Sequence, residues 1–338
     1  MMKIPVTHYK ENTISSVYTF LNQYLRPNPD ELINNFEFEF GDINDYSLIS
    51  PVGCGKYSLV FVGKCKRGFC AIKVFKEISK NKIKKELFIM KKLSGIENII
   101  KFYDIVRDDF TNAISIISEY VNFDPHEKLY PKLQIGEIKY YIFLLLKALD
   151  ECHSRGIMHR DIKPGNVLIN HRNQSLTIID WGLAELYYPY KQYSVRVSTM
   201  RYKAPELLLG YHFYDYGIDI WGVGCILSEM LFGFDFITGT TYQSVLQSIC
   251  NIFGKDKILQ YIDKFGIEVQ KETQDALDEL DSNTSSEFSF QNQVMKMHDD
   301  LKDDCAIDLL LRLLDIDHTN RIVARDALNH NFFSSLFV

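Results

Sequence analysis

The apolar residues of this chain change their period after Asn122, and that change divides it into two unequal parts. From Phe36 to about Val74 the pattern alternates. Phe36, Phe38 and Phe40 flank Glu37 and Glu39, and a turn with Gly53 and Gly55 precedes the run Val60 to Val62. A period of two is what a strand with one buried face requires. Lys80 to Leu93 interrupts it with Ile83, Leu87 and Met90 on one helical face and lysines on the other. Ile99 to Val106 and Ile114 to Val121 suit strands again. Beyond Asn122 the period is that of helices, over Ile135 to His153, Tyr216 to Leu231, Gln243 to Phe253 and Cys305 to Leu314. The expectation is an α+β fold of two lobes: a small antiparallel sheet with one helix over 36–121, then a larger, mainly helical lobe over 122–338. Residues 1–35 carry Pro5, Pro27 and Pro29 and little periodicity, and are expected to lie on the core as an extension. Gln270 to Asp304 is acidic and rich in Ser, Thr and Asn, which predicts a solvated loop.

Composition removes several classes of function. A net charge of −6 argues against a surface built to coat nucleic acid, so any cationic binding site must be local. The 7 cysteines are scattered, with no pair at metal-ligand spacing, and read as free thiols of a reducing compartment. The N-terminus lacks the apolar core of a signal peptide. The apolar run near Tyr140 to Leu146 is too short to span a bilayer. Neither a membrane nor a nucleic-acid partner is expected, and the location is expected to be cytoplasmic and nuclear.

The residues able to do chemistry come in a fixed order. Gly53-Cys54-Gly55-Lys56-Tyr57-Ser58-Leu59-Val60 is a glycine turn running into a strand, where backbone N–H groups can approach phosphates without a Cβ in the way. A strand after the turn disfavours a dinucleotide-binding fold, which needs a helix there. Ala71-Ile72-Lys73 ends in a cation, and Glu86 follows on the predicted helix as its partner. Neither residue means much alone. His159-Arg160-Asp161-Ile162-Lys163-Pro164-Gly165-Asn166, then Asp180-Trp181-Gly182, then Ala204-Pro205-Glu206 change that. Phosphoryl transfer needs phosphates held in place, their charge neutralised, and a carboxylate to orient the attacking hydroxyl. Asp161 suits the last role, Lys163 and Lys73 the neutralisation, and Asn166 with Asp180 the holding of Mg2+. The motifs are similar to those of protein kinases, and that resemblance implies Glu206 buried against Arg321 and Asp219 tying down the backbone of the His159–Asn166 loop.

Together these motifs resemble the protein kinases, with Lys163 two residues after the aspartate as in Ser/Thr kinases. The resemblance narrows to the catalytic (alpha) subunits of casein kinase II. It is carried by Gly53–Ser58, Lys82–Glu86, Ala148–Asn166, Asp180–Leu186, Tyr214–Cys225 and Tyr261–Phe265, and runs from about Asn22 to the C-terminus. It implies the bilobal protein kinase fold and constitutive activity, with the N-terminal segment against the activation segment. It implies Asp161, Lys163, Lys73 and Glu86 as catalytic residues. It also implies a nucleotide cleft lined by Gly53, Gly55, Ser58, Val60, Ala71, Lys73, Ser118, Glu119, Val121, Leu168 and Ile179. The cofactors implied are ATP and Mg2+, and the partner a dimeric regulatory beta subunit on the outer face of the small lobe. The charges agree: Lys80, Lys82, Lys84 and Lys85 crowd the start of the helix bearing Glu86, and Arg196 and Lys203 lie in the activation segment. Such a patch in an acidic protein attracts acidic protein substrates, with Asp or Glu one and three residues after the target Ser or Thr.

The chain departs from that pattern at a few points. Met200 stands where the family has an arginine, with Arg201 one place later, and side-chain direction flips at each residue of an extended chain. Ser118 and Ala71 replace larger residues and widen the nucleotide pocket, which weakens the expectation of GTP use beside ATP. Gly165 stands where the family has histidine. Two other readings remain open at this level, a pseudokinase scaffold and a proline-directed kinase of the related group. Thr284, with Glu287 three residues on, is a candidate for self-modification.

Overall fold

The computed structural model describes residues 18–24, 29–55, 57–76, 79–280, 290, 294–295 and 297–337. Five strands form the first sheet: β1 (Ser47–Cys54), β2 (Ser58–Cys65), β3 (Gly68–Phe75), β4 (Phe102–Arg107) and β5 (Ile114–Glu119). Their order is β1-β2-β3-β5-β4 and every neighbouring pair is antiparallel. Register decides what each face presents, because residues directly opposite share a face. Val60 opposes Lys73, and Ala71 opposes Ser118. Lys73 and Ala71, two apart on β3, therefore share one face with Val60 and Ser118. Cys70, Ile72 and Ile117 point the other way, into a small core with Val106. Helix α1 (Lys80–Lys92) turns Ile83, Leu87, Ile89 and Met90 inward, into the main core.

The second lobe is built on α2 (Ile135–His153), α3 (Gly217–Phe232), α4 (Tyr242–Phe253), α5 (Lys255–Phe265), α6 (Lys271–Asp278) and α7 (Asp304–Leu313). Between α2 and α3 run β6 (Ile157–Met158), β7 (Val167–Asn170), β8 (Ser175–Ile178) and β9 (Glu185–Leu186), pairing as β6-β9 and β7-β8. Helix α3 is apolar nearly all round and is buried on every side, as its sequence demands. It lies against the His159–Asn166 loop so closely that a Cβ at Gly222 would stand 2.6 Å from the Ile162 carbonyl oxygen. Only glycine permits that approach.

The sequence expectation of two lobes, strands then helices, matches this architecture. It fails at two places. Phe36, Phe38 and Phe40 do not form a strand: residues 36–42 make one ladder-like bond, Gly41 N–H to the Ile105 carbonyl, and Phe36 packs edge-on against Phe88 of α1. Alternation was present, but no strand pairs with the segment. The stretch from Gln270 also contains α6, whose Thr273, Ala276 and Leu277 are buried. Thr284 and Glu287 lie outside the described residues, as do Lys56 and residues 1–17 and 25–28. All seven cysteines are free, and Cys70, Cys152, Cys225 and Cys250 are buried. No helix among the described residues is long and apolar enough to cross a membrane.

Candidate active site

The cleft between the lobes collects groups from both of them. From β3, the Lys73 ammonium reaches Glu86 of α1 at 2.6 Å and Asp180 at 2.8 Å. Burial opposes the lysine's charge, but these two carboxylates outweigh it and its pKa is raised. Burial likewise pushes the Glu86 carboxyl up, against the pull of Lys73. Asp180 is drawn up by burial too, but Lys73 and the Gly182 N–H more than offset this and hold it below the carboxylate range. Above, Gly55 N–H donates to the Ser58 carbonyl at 2.9 Å and Lys76 Nζ to the Gly55 carbonyl at 2.8 Å, which closes the glycine turn.

The loop below is held by one buried carboxylate. Asp219 at the start of α3 accepts the backbone N–H of His159 at 2.8 Å and of Arg160 at 2.7 Å, and contacts His153 Nε2 at 3.0 Å. Arg160 takes a left-handed φ of 67° and Asp180 one of 60°. Such backbone costs about 1–3 kcal/mol per residue and persists only where neighbours enforce it. Asp219 supplies that enforcement for Arg160. Asp161 thereby lies buried at the cleft floor with Lys163 Nζ 2.9 Å from its Oδ2. The Asn166 side-chain amide donates to the Asp161 carbonyl at 2.9 Å and to its Oδ2 at 3.0 Å. On the other oxygen, Thr199 N–H and Thr199 Oγ1 both donate to Asp161 Oδ1 at 2.9 Å, while Lys163 Nζ donates to Thr199 Oγ1 at 2.6 Å.

Asn166 and Asp180 fit the holding of a divalent cation. Among the described residues no hydrogen bond uses Asn166 Oδ1 or Asp180 Oδ2, and no cluster of three or more His, Cys, Asp or Glu exists to bind a metal unaided. Two oxygen ligands completed by substrate phosphates is the arrangement Mg2+ takes in phosphate-handling sites. Gly182 keeps this corner open, since a Cβ there would stand 3.2 Å from Glu86 Oε2 and 3.3 Å from Lys73 Nζ. Trp181 is buried and meets the His159 ring edge-on at 4.7 Å.

The residues expected to line a nucleotide divide. Val60, Ala71, Lys73 and Ser118 share the cleft face of the sheet, with Gly53 opposite Val60. Glu119 opposes Cys70, so its side chain leaves that face and pairs with Lys101, and only its main chain can border the cleft. Leu168 is half-buried between buried Val167 and Ile169, hence turned away from their core. Ile179 is fixed by its N–H to the Asn166 carbonyl at 2.9 Å and by its own carbonyl to His159 at 3.0 Å. Ser58 is buried at the start of β2, and Val121 follows β5 half-buried.

The cations expected to meet substrate divide as well. Lys80, Lys82 and Arg196 are exposed, Lys82 over the Tyr57 ring at 4.6 Å. Lys84 Nζ donates to the Asn34 carbonyl at 3.2 Å. Lys85 is half-buried. It bonds Glu185 of β9 at 2.9 Å, and the same Glu185 oxygen lies 3.6 Å from Arg160. Lys203 is buried and donates to the carbonyls of Val195 and Val197. Both ammonium groups are thus held by oxygens of the fold itself, the Glu185 carboxylate and the carbonyls of Val195 and Val197.

The Asp180–Glu206 segment is fastened at both ends. Glu206 and Arg321 form a fully buried bidentate pair at 2.7 and 3.0 Å. The Asn22 side-chain amide donates to the carbonyls of Gly156 at 2.9 Å and Tyr187 at 2.8 Å, and Tyr18 O–H donates to Asp150 at 2.9 Å. Sequence reasoning missed the roles of Thr199 and Glu185. Thr199 stands five residues before Ala204, a spacing that could have drawn attention to it. Nothing local marks Glu185, whose two cations come from 100 and 25 residues earlier in the chain.

A carboxylate flanked by an ammonium and a hydroxyl, a lysine held charged by two acids, and an unused oxygen on each of Asn166 and Asp180 suit phosphoryl transfer. Comparison with known families agrees. The model of the protein kinase domain matches residues 46–333, which spans both lobes and implies the use of ATP and, as is typical of such domains, a divalent metal. The chain belongs to the protein kinase family.

Proposed function

We propose that the chain is a serine/threonine kinase of the casein kinase II alpha type, transferring the γ-phosphate of ATP, with Mg2+, to residues followed by acids. The observation that carries the choice of acceptor is the Thr199 hydroxyl on Asp161 and Lys163. An aliphatic hydroxyl is already stabilised beside the carboxylate that would orient the attacking oxygen. When bound, Mg2+ would neutralise phosphate charge from Asn166 and Asp180. Lys73, positioned by Glu86, would grip the phosphates, and Lys163 would steady the group in transfer. The exposed cations Lys80, Lys82 and Arg196 beside the cleft support acidic substrates.

Peptides with Ser or Thr followed by Asp and Glu should be phosphorylated, and peptides with proline next to the acceptor poorly. Equal rates on both sets would sink the reading; ATP and GTP run in parallel measure the effect of Ser118 and Ala71. Converting Lys80, Lys82 and Lys84 to glutamate is expected to raise KM for acidic peptides about tenfold or more, since three surface charges each contribute up to about 1 kcal/mol. KM for ATP should stay near its original value, and the difference should shrink at high salt.

Constitutive activity finds support in Glu185. Its carboxylate joins Lys85 of α1 to Arg160 of the catalytic loop, a bridge that elsewhere an added phosphate could provide. Those cations, offset against burial, hold its pKa below the ordinary value, so it stays charged at neutral pH. Glu185→Gln is expected to lower kcat about tenfold or more, through loss of a charge-assisted bond of about 1.5–3 kcal/mol. Unchanged kcat in that variant would remove the bridge from the mechanism. A regulatory protein dimer on the small lobe is supported by Leu48, Ile49 and Val52, which β1 exposes at the sheet edge, and by exposed Phe69 on β3. A cytoplasmic and nuclear location completes the reading.

A further inference from the structure

The turn from Met200 to Lys203 borders the place where an acceptor hydroxyl must sit, because Thr199 is bonded to Asp161. The residue next to that acceptor has its Cα only about 3.8 Å farther along. Its side chain must therefore meet this turn. The cations of the turn are committed elsewhere. Arg201 is paired with Asp235. Lys203 is buried on the carbonyls of Val195 and Val197 and lies over the Tyr242 ring at 5.2 Å. Burial pushes its pKa down to about 8, only partly opposed by Asp161, so the ammonium gains little from the nearest acid. Tyr202 gives its hydroxyl to Glu229 at 2.8 Å. Lys163 is engaged by Asp161 and Thr199. What remains is Met200, half-buried against the apolar core.

We infer that Met200 selects an apolar or neutral residue immediately beside the acceptor, so that acids are read only farther along the substrate, by Lys80, Lys82 and Arg196. This rests on the acidophilic reading above and sharpens it, since it withdraws the expectation of an acid directly after the target. A methionine offers dispersion contacts and no donor, and an acid placed against it loses solvation without gaining a partner. The distal cations are exposed and can pair without that penalty.

The test is a scan of serine peptides in which either residue flanking the acceptor is Asp, Ala or Leu while the distal acids are kept, and a second set in which the distal acids are removed. With the full-length chain, Leu for Asp beside the acceptor is expected to leave kcat/KM within about threefold or to raise it, and loss of the distal acids to lower it about tenfold or more. Met200→Arg should create a preference for the adjacent acid of about threefold to fivefold. Arg201→Gln should leave that position's preference where it was. A wild-type preference of tenfold or more for the adjacent acid overturns the inference, as does its loss in Arg201→Gln, and either result leaves the acidophilic reading standing. Indifference to acid at every position removes the acidophilic reading and this inference with it.

Discussion

Asp161→Asn is expected to lower kcat about 10²- to 10⁴-fold, the range that a general base contributes. The substitution is nearly isosteric, and one oxygen remains to accept the Thr199 N–H now at 2.9 Å. What it removes is the second acceptor. An amide nitrogen would face Lys163 Nζ and the Asn166 amide, at present 2.9 and 3.0 Å from Asp161 Oδ2, and all three groups are donors. The charge is lost, and the amide oxygen left beside the Thr199 hydroxyl can accept a hydrogen bond but is too weak a base to take the substrate's proton. Nucleotide affinity should change little, because Lys73, Glu86 and Asp180 make their contacts without Asp161. Turnover of an acidic peptide and titration calorimetry with ATP and magnesium measure the two halves. Retention of a tenth or more of wild-type kcat would take Asp161 out of its role.

Much of this site was legible because its motifs answer local demands. A glycine turn before a strand, an aspartate two residues before a lysine, and Ala-Pro-Glu each constrain a few neighbouring residues, so order and spacing along the chain suffice. Helices were legible for a related reason. Ile135–His153 carries more than five turns of apolar stripe, and the structure places the helix over the same residues. The alternating Phe36–Phe40 stretch shows the limit. Its pattern equals a strand's, but pairing needs a free edge in register, and that is a property of the assembled sheet. The intramolecular partners of Lys85 and Lys203 were out of reach for the same kind of reason. A charge in a sequence says nothing about whether a buried acceptor awaits it, and Glu185 and the carbonyls of Val195 and Val197 are brought there by the tertiary fold. Thr199 was visible as a hydroxyl near the end of the segment. Its contact with Asp161 depends on how the segment folds back, across 38 residues.

Arg321→Met carries the largest expected effect on stability, and its logic differs from that of a surface ion pair. Arg321 and Glu206 are both wholly buried, and the guanidinium makes further bonds to the carbonyls of Gly217 at 2.8 Å and Asp315 at 2.9 Å while lying over the Trp221 ring. Removing it strands a carboxylate where no water reaches, a change worth about 3–5 kcal/mol. At about 2.1 cal/mol/K per residue of unfolding entropy, that is a fall of roughly 4–7 °C in the thermal midpoint. The companion variant Arg321→Met with Glu206→Leu distinguishes a lost attraction from a stranded charge. With no charge left to desolvate, it should recover a good part of the loss, since apolar replacement of a buried pair is often near neutral. Activity need not follow stability. Glu206 ends the segment that carries Thr199, and the pair ties that segment to α3, which holds Asp161 through Asp219. The double variant is therefore expected to refold with a raised KM for peptide, and stability without full activity would assign the pair to positioning the segment. A single variant as stable as the wild type would show that water or a rearranged side chain reaches Glu206.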